Sequence, residues 1–279
     1  MPLPPPDLDE PEELAEGEND DVALRPGANA DLTDDVNRYI CPEVRALYDV
    51  YSYRHAAAIL ATSYPEELRE LEAALLAFRV TTHEIGMPGG NESEMPKKFS
   101  RQLRPAGWVE TRIQGDLLVR LQEYTEEMAE NGKVRKLAMP PRDARVVENY
   151  LDGHKIDYVK GRVAFDLEWN SKDQTFDRDL YALRAFHECG LVSVGVLVTR
   201  SASLNPVFSV VPQLKRDGTP EFHTSGPRAG MPKSVRNKYG ASTTWMGKLL
   251  YRLNAGRHGG CPVLVFGITP RLIPDWNHE

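Results

Sequence analysis

Two short, almost wholly apolar runs in the second half of the chain constrain its fold more than any other feature. Leu191–Thr199 (LVSVGVLVT) and Pro262–Ile268 (PVLVFGI) each predict a buried strand. An amphipathic helix is expected over Phe176–Cys189, before the first run, and another over Thr243–Asn254, before the second. Strands and helices that alternate in this way predict an α/β fold with a mixed sheet and helices on its faces.

A β-hairpin is predicted immediately before these elements, over His154–Asn170. Its two strand runs are joined by Lys160-Gly161, which is a hairpin signal. In the second run apolar side chains alternate with Ala164, Asp166 and Glu168, so both carboxylates face the same way. Asp157 lies nine residues before Asp166 on the first strand. We therefore expect three carboxylates to converge on one spot of the sheet.

Three carboxylates at close range repel one another unless a cation lies among them or a proton is shared. Mg²⁺ typically binds one or two carboxylates, keeps several waters and binds a substrate phosphate. The Leu167 carbonyl, between the two side chains of the second strand, is a further candidate ligand. The alternative is that the acidic side chains simply meet water. Asn170, Ser171 and Lys172, which can bond phosphate or base edges, follow directly and favour the metal site.

The first half of the chain predicts mainly helices. Cys41–Thr62 and Pro65–Phe78 carry apolar residues at helical spacing and are expected to form an antiparallel helix pair. A flexible loop is expected in GMPGGNES, which starts at Gly86. The other expected elements are a strand around Arg79–Ile85, a helix over Lys97–Arg104, a strand over Trp108–Ile113 and a helix through Leu117–Ala129.

The net charge of −7 argues against nucleic acid only until it is divided along the chain. Residues 1–40 contain twelve acidic and two basic side chains, so they carry −10 and the remaining residues carry +3. Pro212–Glu279 contains ten basic and four acidic side chains. Residues 1–38 are rich in Pro, Asp and Glu and lack aromatics, which predicts a disordered acidic tail on a mildly basic body.

The N-terminus has neither the basic nor the apolar region of a signal peptide, and no apolar run reaches the ~18 residues of a membrane helix. Cys41, Cys189 and Cys261 have neither a CxxC pair nor a zinc-ligand spacing, which predicts reduced thiols. We therefore expect a cytoplasmic protein with no membrane partner.

The D-x8-D-x-E hairpin, followed by an amphipathic helix and a buried strand, resembles the PD-(D/E)XK nuclease core. More closely, Ile156–Glu168 (IDYVKGRVAFDLE) is similar to the active-site hairpin of type II restriction endonucleases of the BglII/BstYI group. The similarity continues through Lys97–Arg112, Tyr239–Thr244 and Pro262–Pro270. It implies a PD-(D/E)XK-type mixed central sheet flanked by helices. The similarity does not include the acidic tail or the first helix pair. Because about 240 residues remain without the tail, we expect a single nuclease domain over residues 39–279, with a helical addition at 39–79 and the catalytic core and DNA-recognition elements at 80–279.

The resemblance implies that Asp157, Asp166 and Glu168 are catalytic. Asp157 and Asp166 would bind Mg²⁺, with the Leu167 carbonyl completing the shell. Glu168 stands where the broad superfamily has lysine and this group tends to have glutamine. It cannot stabilise phosphate charge as lysine does, but it could orient the attacking water or help to hold a metal. Glu92 or Glu94 could add a carboxylate from the N-terminal side.

The resemblance also assigns DNA contacts by position. The matching residues are Asn170, Ser171 and Lys172 after the hairpin, and Ser242, Thr243 and Thr244 at the start of the late helix. Arg228–Gly240 has four basic side chains and no acidic one, so it suits a loop on backbone phosphates and supplies Lys233, Arg236 and Lys238. The alternative is a solvated basic loop.

The expected function is that of a Mg²⁺-dependent type II restriction endonuclease that cuts double-stranded DNA at a short palindromic site as a homodimer. The resemblance suggests a GATC core and a cognate DNA methyltransferase as a functional, not physical, partner. One alternative is a DNA-binding module with a catalytically decayed nuclease core, which the Glu168 departure favours. Another is a metal hydrolase of small phosphoesters, which the basic C-terminal third disfavours.

Overall fold

The computed structural model describes Gly27 and residues 29–89, 94–151, 153–240 and 242–276, without the side chains of 143 and 144. These residues form two compact units. The larger unit contains the described residues up to Thr111 and from Ile156 onward, and the smaller unit is Arg112–Lys155, which we name the insert. The residues expected to form one domain, 39–279, therefore belong to two compact units. That the two units act together as one nuclease domain remains a prediction.

The described helices and strands alternate irregularly along the chain. The helices are α1 (Thr33–Tyr39), α2 (Pro42–Leu47), α3 (Ala56–Ser63), α4 (Pro65–Ala77), α5 (Thr82–Gly86), α6 (Glu94–Leu103), α7 (Thr175–Glu188), α8 (Asn205–Val210) and α9 (Met246–Asn254). The strands are β1 (Tyr48–Tyr53), β2 (Val109–Arg112), β3 (Gly115–Leu121), β4 (Tyr124–Met128), β5 (Val134–Ala138), β6 (Arg142–Leu151), β7 (Lys155–Lys160), β8 (Val163–Glu168), β9 (Val194–Arg200) and β10 (Val263–Ile268). Short 3₁₀ helices cover Arg104–Ala106, Ala202–Leu204, Val235–Tyr239 and Pro270–Leu272.

A mixed sheet of six strands, in the order β1-β10-β9-β8-β7-β2, forms the centre of the larger unit. Strands β8, β9 and β10 are parallel to one another, whereas β7 is antiparallel to β8 and β1 is antiparallel to β10. Every residue of β8, β9 and β10 is buried, because helices cover the sheet. The predicted α/β fold with a mixed central sheet flanked by helices is confirmed.

The two faces of β8 have different roles, as the alternation predicted. Val163, Phe165 and Leu167 join the main apolar core, which the N-terminal helices complete. The opposite face is covered by α7, whose Leu183 packs so closely on Gly195 of β9 that an added Cβ would lie 2.7 Å from it. The acidic side chains of β8 therefore lie between the sheet and α7.

Several predicted elements are confirmed with shifted ends. These are the hairpin of β7 and β8, the helices α6 and α7, and the strands β2, β9 and β10. The hairpin turn uses Gly161 at a φ of 54°, a backbone conformation that glycine adopts without steric cost. The late helix α9 begins at Met246 instead of Thr243, so the preceding three residues form a loop.

The predicted helix over Cys41–Thr62 is wrong. Its middle forms β1, which pairs with β10 and buries Tyr48 and Tyr53. Because aromatic side chains suit a half-buried sheet edge, tertiary pairing outweighs the helical spacing. The segment 39–79 is therefore not wholly helical and contributes a strand to the central sheet.

Two further expectations need correction, and two others fall partly or wholly outside the described residues. The strand around Arg79–Ile85 is wrong, because Thr81 and Glu84 form a capping box that begins α5. The tail cannot extend to residue 38, because α1 begins at Thr33 and buries Val36. Residues 1–26 and 28, and the glycine-rich loop at 90–93, lie outside the described residues.

The insert consists of strands where a helix through Leu117–Ala129 was expected. Strand β3 pairs antiparallel with β6, and β4 pairs antiparallel with β5. Cross-strand pairing stabilises a segment whose apolar spacing also fits a helix, which is why single-sequence periodicity failed at this point. Among the described helices, none has the length and apolar character needed to cross a membrane.

Candidate active site

Asp157 and Asp166 lie opposite each other on β7 and β8. The pairs Tyr158–Phe165 and Val159–Ala164 set this register, and the Asp157 amide donates a hydrogen bond to Asp166 Oδ1 over 3.0 Å. Asp166 is buried under α7, whereas Asp157 is exposed at the rim. The hairpin therefore brings the two predicted metal ligands together, one inside the protein and one open to an incoming ligand.

Glu168 lies two residues beyond Asp166 on the same face and is also buried. Its backbone carbonyl accepts a hydrogen bond from Thr199 Oγ1 of β9 at 2.8 Å, which fixes the end of β8. Its Oε2 has no hydrogen-bond partner among the described atoms. A buried carboxylate oxygen without a partner is costly, so it points to a proton or a cation at this place.

A fourth carboxylate, Asp179 of α7, belongs to the same cluster and was missed in the sequence. Only 2% of Asp179 is exposed, and its Oδ2 is a second unpartnered buried oxygen in the described part of the chain. Glu168 and Asp179 lie close enough to shift each other's pKa, so neither carboxyl group loses its proton independently of the other. A signal was present: Asp179 lies three residues after Phe176 and four before Leu183, on the apolar stripe of α7.

Burial and mutual repulsion make this cluster hold protons tightly. Burial, together with Asp179 and Asp157, raises the pKa of Asp166 well above its usual range. Burial and Asp179 raise the pKa of Glu168 to about 8, and burial raises the pKa of Asp179 to about 6. Burial and the neighbouring carboxylate therefore favour the neutral form of Glu168. A neutral carboxyl group has the hydrogen-bonding character of the glutamine that the family pattern has at this position.

Charged side chains at the edge of the cluster change the pKa values of its carboxyl groups. Arg178 Nη2 lies 3.1 Å from Asp179 Oδ1 and 3.8 Å from Glu168 Oε1, so it compensates part of the charge. Loss of hydration and the charge of Glu110 on β2 raise the pKa of Asp157, whereas Arg104 and Arg178 oppose that rise. Sequence reasoning missed Glu110, Arg104 and Arg178, because sheet order and helix packing bring them to the site.

The donor set fits a hard cation. Among the described residues, no group of three or more His, Cys, Asp and Glu side chains is arranged to hold a metal ion. Mg²⁺ needs fewer protein ligands, since it commonly keeps several waters beside one or two carboxylates. Asp157 and Asp166 supply two carboxylates, and Glu168 and Asp179 add two buried oxygens that lack a hydrogen-bond partner among the described atoms.

A cavity of about 800 Å³ opens beside the hairpin. Asp157 and Leu167 lie in its wall, together with Asn170 and Ser171. Glu94 also lines it, but its carboxylate pairs with Lys97 at 2.9 Å and Arg101 at 3.3 Å. Glu92 lies outside the described residues, so its part in the site stays a prediction. The cavity connects the candidate metal ligands with the first candidate DNA segment.

The two segments assigned to DNA contacts, residues 170–172 and 242–244, are bonded to each other. The Thr244 amide donates to the Ser171 carbonyl at 2.8 Å, and the Ser171 amide donates to Thr244 Oγ1 at 3.2 Å. Lys172 and Thr243 form an isolated antiparallel bridge, and the Asp173 amide donates to the Ser242 carbonyl at 3.0 Å. The two segments therefore form one continuous surface, which we name the paired-loop surface.

The side chains of the paired-loop surface differ in accessibility. Lys172 and Ser242 are exposed, Asn170, Ser171 and Thr243 are half-buried, and Thr244 is buried. Asn170 Oδ1 is unpartnered among the described atoms. Thr244 is therefore placed to support the surface, and the exposed and half-buried side chains are placed to meet a ligand.

The three predicted basic contacts of the Arg228–Gly240 segment lie in different surroundings. Lys233 Nζ pairs with Glu221 Oε1 at 2.7 Å. Lys238 lines the cavity, donates to the carbonyls of Ile85 and Met87, and has its pKa lowered to about 8 by burial. Arg236 is exposed. Lys233 and Lys238 thus already have protein partners, which weakens their assignment to phosphates.

A comparison with protein-family models matches residues 48–268 to the family described as restriction endonuclease BglII/BglIII. This range starts at the first residue of β1 and ends at the last residue of β10, so it contains the whole central sheet. The chain belongs to this restriction endonuclease family. No curated protein matches the chain.

Membership of the BglII/BglIII family makes this protein a site-specific restriction endonuclease, a hydrolase that binds and cuts double-stranded DNA. The suspected resemblance to BglII-like enzymes is thereby confirmed. The edge strand β1, which the sequence had assigned to a helical addition, lies inside the matched range. It therefore belongs to the part of the chain that matches the family.

Proposed function

We propose that this restriction endonuclease is a type II enzyme that requires Mg²⁺ and cuts a short palindromic site as a homodimer. The observation that carries the proposal is the pairing of Asp157 with Asp166 over a buried carboxylate cluster that is short of positive charge. A divalent cation would supply that charge. It would also polarise the scissile phosphate and lower the pKa of a water nucleophile.

The residues of the hairpin have distinct tasks in this proposal. Asp157 and Asp166, with the Leu167 carbonyl, hold the cation. Glu168, held against Asp179, is oriented to hydrogen-bond the attacking water or a phosphate oxygen. Arg178 lies close enough to Glu168 to limit the negative charge that the DNA backbone meets.

The paired-loop surface recognises DNA in this proposal. Asn170, Ser171 and Lys172 on one side, and Ser242 and Thr243 on the other, offer amide, hydroxyl and ammonium groups. These groups can bond to base edges or phosphates. A palindromic site is read by two equivalent copies of such a surface, so two-fold symmetry gives one active site per strand. A GATC core and a cognate methyltransferase as functional partner remain part of the proposal through the family resemblance.

The direct experiment incubates the protein with phage DNA in Mg²⁺ or in EDTA. We expect discrete fragments in Mg²⁺, none in EDTA and none with D157A. The control variant is E188Q, because Glu188 is exposed at the end of α7, where it pairs with Arg184 at 2.7 Å. It should cut like the wild type. Smeared products, or discrete cleavage by D157A, would contradict the proposal.

The alternative function is a DNA-binding module with a decayed core, and the glutamate at position 168 is the observation that favours it. That alternative predicts tight duplex binding in gel-shift assays without cleavage in Mg²⁺ or Mn²⁺. Analytical ultracentrifugation with and without a cognate duplex tests the homodimer separately, since a monomer on a palindromic duplex would contradict it.

A further inference from the structure

Arg200, the last residue of β9, is a buried cation whose hydrogen bonds all lead to one segment. Only 2% of it is exposed. Its Nε donates to the Thr244 carbonyl at 3.0 Å, Nη2 to Thr243 Oγ1 at 2.5 Å and Nη1 to the Tyr239 carbonyl at 3.4 Å. The guanidinium thus bonds Tyr239 on one side and Thr243 and Thr244 on the other.

The surroundings of Arg200 do not neutralise it. Its contacts in the described part of the chain are backbone carbonyls, one hydroxyl and two rings, with no carboxylate among them. The guanidinium carbon lies 5.0 Å from the centre of the Tyr239 ring and 5.3 Å from that of Phe208. Because burying a charge carries a large desolvation penalty, an apolar residue of similar volume would often serve stability equally well.

The segment that Arg200 holds is the second half of the paired-loop surface. Thr243 and Thr244, which Arg200 bonds, are themselves joined to Lys172 and Ser171. A chain of direct contacts therefore runs from the end of a rigid central strand, through Arg200, to both halves of this surface. A rigid support of this kind is what base discrimination needs, since a loosely held contact group cannot reject a wrong base.

We propose that Arg200 is the positioning residue for DNA sequence discrimination: it fixes residues 242–244 against 170–172, and its unneutralised charge lies beneath the surface that meets the DNA phosphates. This inference rests on the proposed function of the paired-loop surface. Arg200 itself touches neither the carboxylate cluster nor the scissile phosphate in this proposal. Its loss should therefore change which sites are cut more than how fast the chemistry proceeds.

The test first maps the wild-type fragments from phage DNA, which defines a cognate duplex and its one-base variants. The variants are R200K, R200M and T243V, and the last removes the hydroxyl that accepts from Arg200 and donates to the Gly240 carbonyl. The matched control is L60A, a cavity in α3 that lowers stability away from this surface, since Leu60 is fully buried in the N-terminal core. Thermal unfolding ranks all four variants by stability.

We expect R200K and R200M to lower the ratio of cognate to one-base-variant binding at least tenfold and to add fragments from near-cognate sites. T243V should shift this ratio in the same direction by a smaller factor. If L60A unfolds at a temperature similar to that of R200M but keeps the wild-type fragment pattern, lower stability does not explain the loss of discrimination in R200M. The loss is then due to the positioning of the paired-loop surface by Arg200.

An unchanged ratio and an unchanged fragment pattern in R200K would overturn the inference, even if R200M fails to fold. An L60A pattern relaxed as far as that of R200M would also overturn it. Absence of discrete fragments from the wild type itself would instead count against the proposed function. The two failures are therefore distinguishable.

Discussion

Two aspartates of α7, only two residues apart, lie in opposite electrostatic surroundings. Asp177 faces α9, where its carboxylate pairs with Arg252 at 3.0 Å and also with Arg257. Hydrogen bonds from these arginines lower its pKa. Asp179 faces the sheet, where burial raises its pKa to about 6 and one of its oxygens lacks a partner among the described atoms.

The difference is between a carboxylate whose charge is compensated by arginines and a carboxyl group whose charge burial disfavours. The Asp177 network is compensated within the protein, since Arg252 also lies 3.6 Å from Asp173 and bonds the Lys248 carbonyl. It ties α7 to α9. The cluster around Asp179 contains more negative charge than nearby cations neutralise, so it is completed by a proton or by an added cation. Changes in the two regions should therefore have opposite consequences for stability and activity.

The largest contrast is expected between D166N in the cluster and D177N in the network. D166N should reduce cleavage by at least ~10³-fold, because it removes a carboxyl group that we propose as a metal ligand. Its metal-free stability should not fall, because the amide replaces a carboxylate that burial and repulsion destabilise. D177N should keep cleavage within a few-fold of the wild type. Its unfolding free energy should fall by about 1 kcal/mol or less, because solvent screens the ion pairs of a half-exposed carboxylate.

Cleavage of phage DNA and urea unfolding in EDTA measure the two effects. The expected contrast between the two regions would be contradicted if D177N lost cleavage activity at wild-type stability, or if D166N cut DNA at the wild-type rate. Either result would show that compensation inside the protein does not distinguish the two regions.

Sequence patterns found one region of this site far better than the other. The hairpin was predictable because a period-two alternation and a Lys-Gly turn are local signals, and they placed Asp157, Asp166 and Glu168 correctly on β7 and β8. Asp179 required the packing of α7 on the sheet. The edge strand β1 pairs with a strand more than 200 residues away, and no local pattern encodes that pairing.

The same limit applies to the DNA-contacting candidates. Their positions were inferred by resemblance, but their union into one surface depends on backbone bonds between Ser171 and Thr244 across 73 residues. Arg200 has no distinguishing local signal either, since it only ends an apolar strand. Phosphate contacts had been assigned to the Arg228–Gly240 segment from its composition alone. Composition could not reveal that Lys233 and Lys238 bind protein groups.

A smaller effect is expected from the pH dependence of the metal-free protein. The pKa of Glu168 is about 8 in the folded state against 4.5 for an ordinary glutamate. The folded state therefore binds more protons between these values, so its stability falls as the pH rises from 4.5 through 8. E168Q does not titrate and should remove part of that slope, on the order of 2 kcal/mol between pH 5 and pH 8.

Urea unfolding in EDTA at the two pH values measures this slope, and E188Q provides the exposed control that should leave it unchanged. A steeper slope in E168Q would be inconsistent with a carboxyl group that stays protonated in the folded protein. Because glutamine matches the neutral glutamic acid in shape, cleavage by E168Q should stay within about tenfold of the wild type if Glu168 acts in its neutral form.

The smallest expected effect is that of D179N, and it sharpens the contrast with Asp177 most directly. The amide would remain hydrogen-bonded to Arg178 or Glu168 but would no longer repel Asp166, so the pKa values of both remaining buried acids should fall. Cleavage should drop only a few-fold, because Asp179 is not a proposed metal ligand.

The stability effects of D179N and E168Q should not be additive, since both substitutions change the same pair of carboxyl groups. A coupling free energy of about 1 kcal/mol in a double-mutant cycle of metal-free stability is expected. Strict additivity would show that Asp179 and Glu168 titrate independently of each other.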